Sequence, residues 1–371
     1  MPVGPADNQG TVLYYDDSGV PGGSVDYVTI ILVHGAVYHS AIFRNMIPHA
    51  VSNNLRLILL NLRDYPGSTC YSPAELEALA SPDKEVQIAA IEARGMELAT
   101  FIRWFIETER IPPIADDLNE DGRPSGGIAL LGWSAGNWQT ISMIASANKL
   151  PVNTRNILDV YFRTFFIYDT SQTTLGMSPL EGLYHPFRDE SLTKEEKMER
   201  FPTFVSSYFT PSVIDQEDFE SPEFIRMLLA RKVVHSREGD SDSHHNLTPT
   251  TQRMSPDQLA EVADQAIMWR SQHLFQRVDL SIYHENFRAA ILECSSERES
   301  TIWPRLRVHW LWCDMTISDA IYCVTAAKHI VEQNGQSQRG RQVEFCKIAN
   351  ANHFLHWDEP ERFTKLLASI V

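Results

Sequence analysis

The chain has 371 residues, 43% apolar and 10% aromatic, enough for a buried core and too apolar for a disordered chain. With 48 acidic against 32 basic residues it carries a net charge of −16, which argues against nucleic acid or an anionic membrane as a partner. No apolar run approaches the ~18 residues of a membrane helix, so no membrane insertion is expected.

Residues 1–10 have no pattern. Thr11–Tyr15 and Tyr27–Val33 read as strands separated by a turn at Pro21–Ser24. The second strand runs into His34-Gly35-Ala36-Val37, where a glycine lets the main chain approach a ligand closely. Ala41–Asn53 reads as a helix interrupted at Pro48, and Leu55–Leu60 as a buried strand followed by Asn61-Leu62-Arg63-Asp64-Tyr65-Pro66-Gly67-Ser68. Ser72-Pro73-Ala74-Glu75 is a capping box with proline at the first helical position. Lys84–Arg110 reads as a long helix, its apolar face carrying Ile88, Ile91, Leu98, Phe101, Ile102 and Phe105. An acidic, Pro- and Gly-rich linker, Pro112–Gly126, follows.

The apolar run Gly127–Leu131 ends in Gly132-Trp133-Ser134-Ala135-Gly136 and passes into a helical stretch, Gln139–Asn148. A nucleophile elbow needs that strand–turn–helix setting, because it holds a serine hydroxyl clear of the sheet at a helix N-terminus. Phe165–Asp169 reads as the next strand. Continuous apolar strands alternating with helices predict an α/β fold, a mostly parallel sheet covered on both faces.

From Thr170 to about Ile302 the alternation stops. Thr193 with Glu196, and Ser255-Pro256-Asp257-Gln258, are capping boxes, and Ser221-Pro222 opens another helix. About 130 mainly helical residues inserted after a strand imply a cap over the site, one that excludes water and shapes a pocket. Within it, Gly239-Asp240-Ser241-Asp242-Ser243-His244-His245 lacks a scaffolded ligand spacing and reads as a solvated loop; no metal or cofactor is expected. Arg307–Trp312 is the next strand, ending in Cys313-Asp314. Val343–Ile348 is the last, delivering Asn350-Ala351-Asn352-His353-Phe354-Leu355-His356 before an amphipathic helix.

The five cysteines, Cys70, Cys294, Cys313, Cys323 and Cys346, are widely spaced and odd in number, as in a reduced compartment. Met1–Asp7 has neither a basic nor an apolar signal region, and a cytoplasmic location is the expectation.

The chain resembles the α/β-hydrolase-fold family in its serine-nucleophile branch. His34-Gly35 stands where that family has its oxyanion loop, Arg63–Ser68 resembles its Arg-Gly-x-Gly-x-Ser loop, and Gly132–Gly136 matches its elbow. The likeness spans 1–172 and 303–371 as the core and leaves 173–302 as the helical cap. It implies a triad in the chain order serine, acid, histidine: Ser134, Asp314 and His353, each just after a strand. Asp314 is preferred by loop position, with Asp319 and Asp169 as alternative acids. The backbone N–H groups of Ala36 and Ala135 are the expected oxyanion donors. Tyr38, His39 and Trp133 are candidates for the pocket wall, and His356 is expected to be structural. Asn352 stands where the family usually has glycine.

The implied activity is a cofactor-free serine hydrolase acting on a small-molecule carbonyl substrate, an ester, lactone or thioester, through an acyl-enzyme. A C–C bond hydrolase or acyltransferase using the same triad is one alternative; a non-catalytic ligand-binding protein is another.

Overall fold

The computed structural model describes residues 2–118, 122–212, 218–234, 246–294, 301–334 and 339–371. Its eight strands are β1 (Val3–Pro5), β2 (Val12–Asp17), β3 (Val28–Val33), β4 (Leu55–Leu60), β5 (Ile128–Trp133), β6 (Phe162–Tyr168), β7 (Arg307–Cys313) and β8 (Val343–Ile348). They form one sheet in the order β1-β2-β4-β3-β5-β6-β7-β8. β1–β2 and β2–β4 are antiparallel and every later pairing is parallel.

The central strands β3, β4, β5 and β6 are buried along their whole length, so their uninterrupted apolar sequences suit a sheet with no wet face. Alternate side chains divide between two cores. Val33, Ile58, Leu130 and Ile167 pack toward the helix Lys84–Glu109 and part of Ser318–Asn334. Leu32, Leu57, Leu131 and Phe166 pack toward the segment Ser40–Met46 and the helix Pro360–Ile370. The register aligns Val33 with Gly132, Trp133 with Tyr168, and Cys313 with Ile348. The residues that leave the carboxyl ends of β3, β5, β6, β7 and β8 therefore emerge along one edge, where parallel α/β sheets place their sites.

The expected helix over 41–53 is broken into a 3₁₀ turn (Ser40–Met46), an α turn (Ile47–Ala50) and another 3₁₀ turn (Val51–Asn53). Pro48 lies in the first turn of the α segment, where its missing N–H removes no bond. β1 and a helix at Val152–Tyr161 go beyond the sequence reading. β1 is three residues long, and that helix buries only Thr154 and Leu158, too few apolar contacts to leave a periodic signature. The three capping boxes all form.

Between β6 and β7 the described residues are mainly helical, with helices at Lys194–Val205, Pro222–Ala230, Pro256–Val262 and Leu280–Phe287. This insertion shares the cores of the sheet. Phe224, Leu228 and Phe287 belong to one core, and Met198, Phe201 and Val262 to the other. A third apolar cluster joins Trp138, on the helix after the elbow, to Phe275, Ile282 and Tyr283 of the insertion. The run Gly239–His245 lies outside the described residues.

Candidate active site

Ser134 follows β5 directly and adopts a left-handed φ of 54°, a conformation disfavoured for any residue with a side chain. The surroundings impose it. A Cβ at Gly136 would lie 2.4 Å from the carbonyl oxygen of His34, and one at Gly132 would lie 2.5 Å from Thr140 Oγ1, so the elbow closes only with glycine at both positions. Asn137 Nδ2 donates to the carbonyls of Gly132 (2.8 Å) and Ser134 (3.0 Å), and Thr170 Oγ1 donates to the Ser134 carbonyl at 3.0 Å. The strained turn is thus held from both sides by side-chain bonds.

His353 Nδ1 meets Asp169 Oδ2 at 2.5 Å, both residues being buried. Asp169 comes immediately after β6 and also has a left-handed φ, 44°. That turn directs its carboxylate to three donors: the Cys313 N–H (3.0 Å), the Thr316 hydroxyl (2.6 Å) and His353. A carboxylate so satisfied is fixed in place. It leaves Nε2 as the nitrogen of His353 available to a hydroxyl. Trp133, next to the serine, donates from Nε1 to the His353 carbonyl at 3.1 Å, and the two rings lie 5.0 Å apart. His353 and Asp169 thus meet at one point, with Trp133, the chain neighbour of Ser134, fastened to the same histidine.

The expected acid, Asp314, is not at that point. Its carboxylate faces Lys347 Nζ at 3.7 Å on the edge strand β8, and its Oδ1 has no hydrogen-bond partner among the described residues. Burial raises its pKa, with the nearby Lys347 charge working against the rise. Asp319 is also elsewhere, in a two-pronged pair with Arg188 at 2.7 and 3.3 Å. The difference in placement has a simple cause. Asp314 follows its strand without a left-handed turn and leaves toward β8, whereas Asp169 is turned inward between β5 and β7.

On the opposite side of the serine, Gly35 approaches so closely that a Cβ there would stand 2.9 Å from Ser134 Cβ. His34 is fully buried and neutral, its pKa pulled down to about 3 by burial. Its Nε2 accepts the Leu62 N–H at 3.1 Å, which leaves the proton on Nδ1 to donate to the Gly35 carbonyl at 2.9 Å. Across a trans peptide the carbonyl and the N–H point in opposite directions. Fixing the Gly35 carbonyl therefore aims the Ala36 N–H away from His34. Ala135 lies in the first helical turn after Ser134, where N–H groups have no carbonyl four residues back.

The three pocket-wall candidates are placed in different surroundings. Trp133 is a core residue, 1% exposed and packed on Tyr38, Phe43, Phe354 and His356. Tyr38 is buried against Trp133 and Phe354, its backbone bridged to Ala263 of the insertion, though its hydroxyl has no partner. His39 caps the 3₁₀ turn through Nδ1, which accepts the Ala41 N–H at 3.4 Å. His356 is structural in placement. It is fully buried, both ring nitrogens lack hydrogen-bond partners among the described residues, and burial next to His353 drives its pKa well down.

Asn352 needs no positive φ, because Asn350 takes the left-handed turn of this loop at 56°. The Asn352 side chain is used instead. Its Nδ2 donates to the Ser206 carbonyl (2.7 Å) and Thr250 Oγ1 (2.8 Å) of the insertion, and its Oδ1 accepts the Phe354 N–H (2.9 Å). His34, Thr316, Asn137 and Asn352 were thus missed as positioning residues. Only His34 and Asn137, flanking recognisable glycines, carried a sequence signal.

No protein-family model matches the chain, and no curated protein matches it. Among solved structures it is similar to epoxide hydrolase CorEH (13% identity, 99% of this chain and 96% of that one, TM-score 0.47). It is likewise similar to Est816, described as an N-acyl homoserine lactone degrading enzyme (12%, 100% and 100%, 0.46). A third is a thermophilic esterase from Thermogutta terrifontis (13%, 99% and 96%, 0.43). The strand order, the parallel register, the left-handed serine after β5 and the histidine after β8 give this chain the α/β-hydrolase fold.

Proposed function

We infer that the protein is a serine hydrolase whose triad is Ser134, His353 and Asp169, Asp169 taking the part expected of Asp314. The supporting observation is the 2.5 Å bond from His353 Nδ1 to a carboxylate already held by two other donors. In the reaction Ser134 Oγ attacks a carbonyl carbon while His353 Nε2 takes its proton. The carbonyl electron pair moves to oxygen, where the N–H groups of Ala36 and Ala135 receive it. Asp169 stabilises the imidazolium. The tetrahedral intermediate collapses, expelling the alcohol, thiol or ring oxygen, which collects the proton from His353. Water then repeats the sequence on the acyl-enzyme and releases the acid.

The substrate is a small carbonyl compound, an ester, lactone or thioester, bound beneath the helical insertion 173–302. Ala135 packs at the margin of the cluster of Trp138, Phe275 and Tyr283, which supports an apolar group on the acyl side. The test is labelling with a fluorophosphonate, read by intact mass and peptide mapping. One adduct is expected on Ser134, absent in Ser134→Ala. Unmodified Ser134 in folded protein overturns the assignment and favours a ligand-binding role.

A further inference from the structure

At the other end of β7 and β8, away from Ser134, three metal-ligating side chains of different type share one face of the sheet. His309 is paired with Glu344 across the parallel ladder, and Leu311 with Cys346. Glu344 and Cys346 are two residues apart, so they project to the same side as His309. Phe345 lies between them on the other face, stacked on Trp310 with ring centroids 5.9 Å apart. One donor atom from each of His309, Glu344 and Cys346 falls within 4.8 Å of the others.

His309 marks this as more than a chance grouping. Its side chain is 9% exposed, yet among the described residues Nδ1 has no hydrogen-bond partner, and it faces Glu344 Oε2 at 3.4 Å. A buried ring nitrogen so placed has lost its hydration and has only a long, poorly aligned carboxylate contact in its place. A bound cation would supply the missing partner. An imidazole nitrogen that carries no proton offers a cation its lone pair. Glu344 is exposed enough to swing inward, its side chain being 69% accessible. The closing needed is small, since ligand atoms around a tetrahedral ion with bonds of about 2.0–2.3 Å stand roughly 3.3–3.7 Å apart.

We propose that His309, Glu344 and Cys346 form a three-ligand site for a divalent transition metal of the zinc type, clamping the edge strand β8 to β7. A nitrogen–sulfur–oxygen set suits zinc or cobalt and not magnesium or calcium, which take oxygen ligands. Metal binding releases the Cys346 proton to solvent, because the thiolate is the form that ligates. A divalent ion with one thiolate and one carboxylate is neutral overall, so the Arg307 charge beside His309 does not oppose it. Water completes the fourth position on the exposed side. The site is separate from the triad and supplies no step of the hydrolysis.

The test uses the full chain freed of metal by chelator, titrated with Zn²⁺ against a chromophoric chelator and with Co²⁺ by absorption. One equivalent is expected to bind and raise Tm. The Co²⁺ complex should show intense tetrahedral d–d bands and a thiolate-to-metal charge-transfer band. Cys346→Ser should abolish the charge-transfer band, and His309→Ala and Cys346→Ser should each weaken binding at least tenfold. Cys346→Ser and Glu344→Gln, at less buried positions, keep the test valid if His309→Ala fails to fold. Unchanged binding in Cys346→Ser, no binding below about 100 μM, or binding abolished by replacing His244 and His245 overturns the proposal.

Discussion

Replacing Asp169 by asparagine separates the two candidate acids. Asparagine tolerates the left-handed φ of 44°, so the backbone should survive the change. It also keeps one acceptor oxygen for the Cys313 N–H, now 3.0 Å from Asp169 Oδ1. The other oxygen becomes an NH₂ group, which can only donate, and it faces the Thr316 hydroxyl and His353 Nδ1. To meet that donor His353 must turn Nδ1 into an acceptor and carry its proton on Nε2. The nitrogen nearest the serine is then already protonated and cannot take the hydroxyl proton. Loss of the correct tautomer in a triad lowers kcat by about 10,000-fold, or ~5.5 kcal/mol of barrier. Asp314→Asn should change kcat less than about threefold, because that carboxylate faces Lys347 at 3.7 Å. The assay is turnover of a chromogenic ester that wild type cleaves, alongside fluorophosphonate labelling rate, with thermal melts to confirm folding. A folded Asp314→Asn variant that loses turnover, or an Asp169→Asn variant near wild type, refutes the assignment.

Two further perturbations follow from the same geometry. Gly35→Ala places a Cβ 2.9 Å from Ser134 Cβ and should slow labelling at least a hundredfold, with Tm changed by only a few degrees; an unchanged labelling rate would mean the serine is not confined by that loop. His356→Phe keeps the ring packed on Trp133 and Phe43 while removing a buried titratable group. A histidine held neutral in the fold but titrating near 6.5 when unfolded binds fewer protons folded than unfolded, so its cost to stability is absent above 6.5 and grows as pH falls. By pH 5 the phenylalanine variant should have gained about 2 kcal/mol on wild type relative to pH 8. Denaturant melts at the two pH values read this directly, and parallel stability curves would contradict a buried neutral His356.

The core architecture was legible because its signals are local. Capping boxes, the glycines around Ser134 and the unbroken apolar strands each state a backbone requirement within a few residues. The proposed acid was not legible in the same way. Asp169 and Asp314 both follow strands, and chain order admits either. The deciding fact is a backbone φ at Asp169 together with donors from Cys313 and Thr316, more than 140 residues away in sequence. Trp133, in contrast, sits beside the serine in sequence yet turns into the core, since side chains alternate along β5 and its indole finds the His353 carbonyl. Asn352 was judged against a glycine habit of the loop; the positive φ had moved two residues upstream to Asn350, which freed Asn352 to make bonds.

Those bonds have a mechanical meaning. Asn352 fastens the turn just before His353 to Ser206 and Thr250, while Tyr208 and Thr250 hydroxyls share Asp358 Oδ2 a few residues further on. The imidazole is therefore braced from above by the insertion as well as from below by Asp169. If this part of the insertion lifts to admit a molecule, it must tear these bonds or drag the imidazole along. On the proposed function, the hydroxyl of Ser134 would then be armed only after the roof has come back down, tying reactivity to enclosure and keeping an open, water-filled site idle.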